Sequence, residues 1–512
     1  MSLELVWVCR LFDFWGLQQV SVPATHFRHR AFLSPLHRRG GGFADPSSMM
    51  ASLLDAMTAA AITCLLVLLV FVGPYRRRRT EPEPIVDSLL WKPSSVNGFL
   101  PSSVPVRHAA LQEAEELLSK LPELIRNGTT REACEALHEV DIAELLERCT
   151  SQLEYEELAE RATLVYSFLA YAYLRASAPR RRLPRNLAVS WHTAATVCGR
   201  APSLDYVATV LANGDGEAGP AATFSGLADE KFFYALHVRI ERAAAPAVGA
   251  LVRAAADPRT LSPSQLARVL NDVAEGVYAM AALLPEMPTG CDPKVFHETI
   301  RLRLAGFTES VILEGVRDQP TIRLTGASGA QSAVLPCVDA LLGIGHSGHH
   351  ELREWSVDTG DLHHLPPPHR ALLLALRAHA PAGPAELERQ LSLLEAPICD
   401  ELTDEHLASA NAAPANVAAA EAARRLRAAH ADAVNALLAF RKAHFALVRA
   451  FIVQPGKVTD GGSVSPASVA APLQGTGGSE LGGFLSGRVL DTARARLADG
   501  PASWRFVRRV LM

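Results

Sequence analysis

The sequence predicts a mainly α fold in two domains, a small N-terminal one that is mostly helical and a large all-helical one, behind a single hydrophobic anchor. Three observations carry that expectation. Hydrophobic residues make up 49% of the 512 and are heavy in alanine and leucine, which suits packed helices. Apolar side chains recur at three- and four-residue intervals through most of the chain, the period of a helix with one buried face. One uncharged run, Met57 to Gly73, departs from that pattern and is closed by Pro74-Tyr75 and the arginines at 76 to 79.

Bulk numbers set the outer limits. A chain of this length holds two or three domains with a sizeable core. With 50 basic and 54 acidic residues it has no broad electrostatic footprint for nucleic acid. The eight cysteines, at 9, 64, 134, 149, 198, 291, 337 and 399, form no CxxC pair. That argues against a structural zinc site and a disulfide framework, and for a reducing compartment.

Residues 1 to 48 carry scattered arginines, a triple glycine at 40 to 42 and no period, and are read as an unstructured or targeting extension. Residues 49 to 80 are read as the anchor with its basic flank. Seventeen residues is the short end for a membrane span, and the four arginines favour a cytoplasmic C-terminal side. The expectation is a membrane-anchored protein with a cytosolic domain; a soluble cytoplasmic protein is the alternative if the segment is cleaved or mis-started.

The small domain is placed at 81 to 225. After a linker at 80 to 96, helical patterns cover about 108 to 126, 130 to 148 and 154 to 176. The arginine run at 180 to 182 is a solvated loop, Leu187 to Val189 a short extended piece, and Ser203 to Asn213 a helix. The Gly- and Ala-rich stretch Gly214 to Gly226 is the connection.

The large domain is placed at 226 to 512. It opens with a helix over Asp229 to Ala255, with His237 on or beside its apolar stripe. A second helix starts with Ser262 as its cap and Pro263 in its first turn. A third covers Pro293 to Ala305, with Phe296 apolar and Arg301 on the edge of that face. Thr325 to Ala333 is small enough to let backbone approach a flat ligand, and leads to an apolar helix carrying Asp339. The histidines at 346, 349 and 350 lack a nearby cysteine and are read as a solvated loop. A proline at 368 starts the helix Ala371 to Ala380, residues 454 to 478 are a long Gly/Ser/Pro segment, and Glu480 to Ala498 is the last helix.

The stretch Ala431 to Val453 is the centre of this domain. Its apolar residues share one helical face with His444, and Arg441 lies one turn earlier on the same side. A neutral imidazole can ligate a metal and a guanidinium can hold a carboxylate of the same ligand. Haem offers both groups. A core histidine bonded to a backbone carbonyl is the competing reading.

Separated strings then agree with one family. Leu183-Pro184-Arg185-Asn186-Leu187-Ala188-Val189, the run Tyr206 to Asn213, Ser328-Gly329-Ala330-Gln331-Ser332 with Asp339-Ala340-Leu341-Leu342-Gly343-Ile344, Pro367-Pro368-His369-Arg370, Phe440-Arg441-Lys442-Ala443-His444, and Gly475-Thr476-Gly477-Gly478 before Phe484-Leu485 stand in its order. On these strings the chain resembles the indoleamine 2,3-dioxygenases from about Gly98 to Leu497. The resemblance implies the two-domain fold of that family, haem b as cofactor, and insertion of dioxygen across the indole C2–C3 bond of L-tryptophan or a related indoleamine to give N-formylkynurenine. A cellular reductant and a monomeric state are implied with it.

Residue by residue, the resemblance makes His444 the proximal iron ligand, with Arg441 and Asp339 paired beside a haem propionate and Ser328 and Gly329 over the macrocycle. It makes Arg301 the clamp on the substrate carboxylate, Phe296, Phe233 and Tyr206 the pocket aromatics, and Thr476 part of a Gly-rich loop that closes on the amino acid. Two registers are open for the distal helix. Matching Phe232-Phe233 puts Leu236 at the distal position; matching Glu241-Arg242-Ala243-Ala244-Ala245 puts His237 there. The second is preferred because related tryptophan 2,3-dioxygenases carry a histidine that can bond the indole N–H. His297 departs from the family pattern, where many relatives have a second aromatic. A membrane-anchored haem-binding sensor or inactive relative acting through partners is the alternative function, and a tethered helical scaffold without cofactor the third.

Overall fold

The three- and four-residue periodicity becomes helix along most of the chain in the computed structural model, which describes residues 88–176, 181–256, 261–317, 320–345, 362–395, 414–455 and 481–495. Contacts divide the chain into two units, Met1–Thr80 and Glu81–Met512. The first lies outside the described residues, and the boundary expected near 225 falls within the second.

Four short helices, α1 (Gln112–Ser119), α2 (Leu121–Asn127), α3 (Thr130–Glu135) and α4 (Ile142–Glu147), pack against the long α5 (Gln152–Ala176). From Leu158 to Leu174 every residue of α5 is buried, so this stretch is enclosed on all its faces rather than along one stripe, with its charged members Glu160 and Arg161 held in ion pairs. Helix α6 (Arg185–Val197) lies along α5. The extended piece expected at Leu187 to Val189 is therefore helix: Leu187, Ala188, Trp191, Ala194 and Ala195 recur at helical spacing and are buried, and that packing decides the local structure. The extended backbone is instead β1 (Arg182–Leu183), parallel to β2 (Ser310–Leu313), which pairs antiparallel with β3 (Thr321–Arg323).

Farther on, α7 (Ala228–Ala243) and α8 (Ala245–Ala256) replace the single helix expected over Asp229 to Ala255. Pro246 has no N–H to bond back and its ring crowds the preceding turn, so the chain turns at Ala244. Helix α9 (Pro263–Leu283) starts where expected, on a capping box in which the Ser262 hydroxyl accepts from the Gln265 N–H and the Gln265 side chain accepts from the Ser262 N–H at 2.8 Å. Then come α10 (Val334–Leu342), α11 (Pro367–His379), α12 (Pro384–Glu395), the 35-residue α13 (Pro414–Val448) and α14 (Leu481–Ala495). Helices α9 and α13 form the most extensive packing, flanked by α8 and α14.

Three π turns occur among the described residues: Val207–Leu211 stands by itself, while Phe296–Ile300 and Arg449–Val453 continue α-helices. Ahead of the first, a buried polar chain fixes the entry: the Trp91 indole donates to Glu160 at 3.0 Å, Glu160 and Asp205 both pair with Arg200, and Asp205 accepts from the Ala208 N–H at 2.8 Å.

The expected membrane-anchored localisation is corrected. Among the described residues no helix is long and apolar enough to cross a membrane. The longest, α5 and α13, carry Glu and Arg along their length. The stretch 57–73 itself lies outside the described residues.

Candidate functional site

Helices α7 and α13 face each other across a cavity in two lobes. The larger holds about 360 Å³ and the smaller about 170 Å³. Tyr206, His237, Gly329, Ala330 and His444 line both, so the two imidazoles stand where the lobes meet. His444 exposes part of its ring only because the cavity opens in front of it. Burial, reinforced by the nearby His237, pulls its pKa down to about 4. The ring is neutral at physiological pH, the form that ligates a metal.

On α7, burial also lowers the pKa of His237. Its Nδ1 lies 2.8 Å from the Phe233 carbonyl oxygen, which is satisfied when that nitrogen carries the proton. The other ring nitrogen is then an acceptor. Phe233 and His237 sit 4.3 Å apart by ring centroids, and Tyr206 lies 6.2 Å from His237 in an edge-on arrangement. The smaller lobe is aromatic: Phe296 packs 5.1 Å from Phe233 and 5.8 Å from Phe451. Each π turn contributes to its wall, through Thr209 and Val210, through Phe296, and through Phe451 and Ile452. Widened turns of this kind concentrate at functional sites.

The larger lobe ends in charge. Arg441 donates to Asp339 at 2.6 Å and to the Thr492 hydroxyl; Arg488 lies 3.9 Å from Asp339, and Arg377 lines the same lobe. Two or more guanidinium groups beside a cavity suit a ligand that carries carboxylates. Met280, Leu284, Leu335, Pro336 and Leu485 supply apolar walls. At Gly329 a Cβ would meet nothing within 4 Å, so small side chains leave the space over this wall open.

The structure brings together His444, Arg441, Asp339, His237, Tyr206, Phe233, Phe296, Ser328 and Gly329 around this cavity. Leu236 is 1% exposed and turns into the core, so it is His237 that faces the space. Arg301 is half-buried at the end of the second π turn and lines neither lobe; burial lowers its pKa. Thr476 and the histidines at 346, 349 and 350 lie outside the described residues. Among the described residues no group of three or more His, Cys, Asp or Glu side chains gathers as a metal site.

Two residues that the sequence places only within matching strings have a role at the site. Gln331 accepts from the Tyr206 N–H at 2.9 Å and from the Ser328 N–H at 3.2 Å, which ties the small-residue loop to the turn bearing Tyr206. Glu241, one turn beyond His237 on α7, accepts from the Tyr206 hydroxyl at 3.1 Å. Its signal was the four-residue spacing Phe233, His237, Glu241, on one helical face.

Fold and cavity together define the class: a mainly helical protein with a neutral imidazole at the centre of an apolar pocket and arginines at its edge. Within that class the model of one family, Indoleamine 2,3-dioxygenase, matches residues 91–495, and the chain belongs to that family. It is 28% identical to Indoleamine 2,3-dioxygenase 1 of Rattus norvegicus, over 74% of this chain and 88% of the relative. It is 27% identical to the 6-hydroxytryptophan 2,3-dioxygenase of Fusarium equiseti, over 77% and 93%. To the Indoleamine 2,3-dioxygenase of Saccharomyces cerevisiae it is 25% identical, over 81% and 94%. The protein is an indoleamine 2,3-dioxygenase-like oxidoreductase with activity of the tryptophan 2,3-dioxygenase type.

Proposed function

We propose that this chain is a haem-dependent dioxygenase that inserts both atoms of dioxygen across the indole C2–C3 bond of L-tryptophan, giving N-formylkynurenine. The observation that carries the reading is the pair His237 and His444 at the junction of a charged lobe and an aromatic one. The residues present fit haem. His444 is a neutral imidazole facing the space, Arg441, Arg377 and Arg488 stand where carboxylates would lie, and the larger lobe falls within the range of about 300–1,000 Å³ usual for cofactor pockets. His444 would hold the iron and Arg441, braced by Asp339, a propionate. Haem, when bound, supplies the redox chemistry that activates dioxygen.

The chain's own part is position and exclusion of water. Phe233, Phe296 and Tyr206 flank a flat indole in the smaller lobe. The unprotonated nitrogen of His237 accepts the indole N–H and so orients C2 and C3 toward the lobe junction. For the substrate carboxylate, Arg301 stands at the end of the second π turn outside the lining of both lobes, so its side chain must turn into the smaller lobe to make a two-pronged contact. Because a relative of similar identity is named for 6-hydroxytryptophan, that indole belongs in the assay beside tryptophan. Reduced protein given L-tryptophan and oxygen should form N-formylkynurenine, read at its own absorption band. Haem-loaded protein that consumes neither indole would overturn the assignment.

A further inference from the structure

Phe233, His237 and Glu241 follow one another by four residues along α7 and descend through the cavity in that order. Phe233 lines the smaller lobe, His237 both, and Glu241 the larger alone. Glu241 is 2% exposed. One of its oxygens takes the Tyr206 hydroxyl, but Oε2 is buried with no hydrogen-bond partner among the described residues. The Ser332 hydroxyl stands near enough to influence the carboxyl without reaching hydrogen-bonding geometry. A buried carboxyl oxygen left without a partner is costly, and in a cavity wall it marks the place of a ligand group. The edge of a haem is hydrocarbon except at its two carboxylates, so these are the groups that a carboxylic acid can meet with a hydrogen bond.

We propose that Glu241 carries a proton when haem is bound and donates it in a hydrogen bond to a haem carboxylate, so that haem is held more firmly below neutral pH than above it. The inference rests on the haem reading above. Burial pushes the Glu241 carboxyl up to about 7, a rise held back by the Ser332 and Tyr206 hydroxyls. A carboxylate brought alongside raises it further, since two negative charges in one lobe repel. As pH rises through that range the proton leaves, the hydrogen bond is lost and repulsion replaces it.

The histidines and tyrosine lining this lobe have pKa values moved away from neutrality. On α7, burial lowers His237; on α13, His444 is pulled down to about 4; at the first π turn, burial holds Tyr206 well above its ordinary value. Arg377 of α11, Arg441 of α13 and Arg488 of α14 supply guanidinium groups to this lobe, with Asp339 of α10 beside Arg441. Helix α9 adds only Met280 to the lining.

The test is transfer of ferric haem from the full-length holoprotein to excess apomyoglobin, followed by the Soret band. For the wild type the transfer rate should rise roughly five- to tenfold between pH 6 and pH 8, the span over which a single such group loses its proton. Glu241→Gln, which keeps a donor and cannot ionise, should flatten that rise. Tyr206→Phe removes a bond that favours the ionised carboxyl, so its transition should move to higher pH; this variant decides the matter if Glu241→Gln does not fold. A wild type that forms no Soret band overturns the haem reading and this inference with it. A Soret-positive wild type with a flat profile, a Glu241→Gln protein that keeps the transition, or a Tyr206→Phe protein whose transition stays in place or moves down, overturns this inference alone.

Discussion

Two buried networks of guanidinium and carboxylate groups occupy opposite situations in this molecule. Arg200 lies between Glu160 and Asp205 with side-chain exposures of 0%, 1% and 1%, sealed on every side. Burial opposes its charge, but the two carboxylates outweigh that and hold its pKa above the ordinary value. Arg441 and Asp339, at 8% each, form part of the wall of a cavity. The sealed network joins the segment around Trp91 to helix α5 and to the turn that presents Tyr206, so its work ends inside the protein. The open one borders the cavity, where the proposed ligand would meet it. Burial of charge therefore has two uses here, one architectural and one receptive, and enclosure separates them.

Substitutions can break or sharpen that contrast. The largest expected effect is at the receptive end: His444→Ala should abolish the Soret band of the haem-loaded protein while leaving the thermal midpoint of the haem-free protein nearly unchanged, because the ring faces open space rather than packed core. An unchanged Soret band would remove His444 from its assigned role. Next in size, Arg200→Ala should leave two carboxylates sealed without a counter-charge and cost about 3–5 kcal/mol of folding stability in a urea titration. A loss under about 1 kcal/mol would mean that the network is not the architectural one. The smallest effect belongs to Arg441→Ala, which should speed haem release about tenfold, the worth of a charged hydrogen bond, with the fold intact by circular dichroism. If it instead unfolds the protein as Arg200→Ala does, the two networks do the same work.

Much of this was legible in residue order. The helix bearing His444 has an unbroken helical period over its last turns, and Arg441 three residues earlier shares its face for purely geometric reasons. The cap at Ser262 was equally local. What could not be read depended on distant partners. The segment around Leu187 is helical because Trp191 and its neighbours bury against α5, which no window of a few residues contains. The π turns leave hydrophobic spacing almost unchanged, so the wall they build is invisible to a periodicity count. Glu241 reads as an ordinary polar residue until Tyr206 is seen above it. Arg301 shows the reverse: a motif match gave it a role, while its side chain lines neither lobe.

The two π turns that continue α-helices, Phe296–Ile300 and Arg449–Val453, each carry one residue more than the α turn they replace, so two walls of the smaller lobe hold a spare residue in reserve. Deleting one position from Phe296–Ile300 would leave a continuous α-helix and swing Arg301 by about 100° around its axis. Single-residue gain or loss there thus re-aims the side chains that wall the smaller lobe without breaking a helix, so the shape of the lobe can change while the scaffold stays.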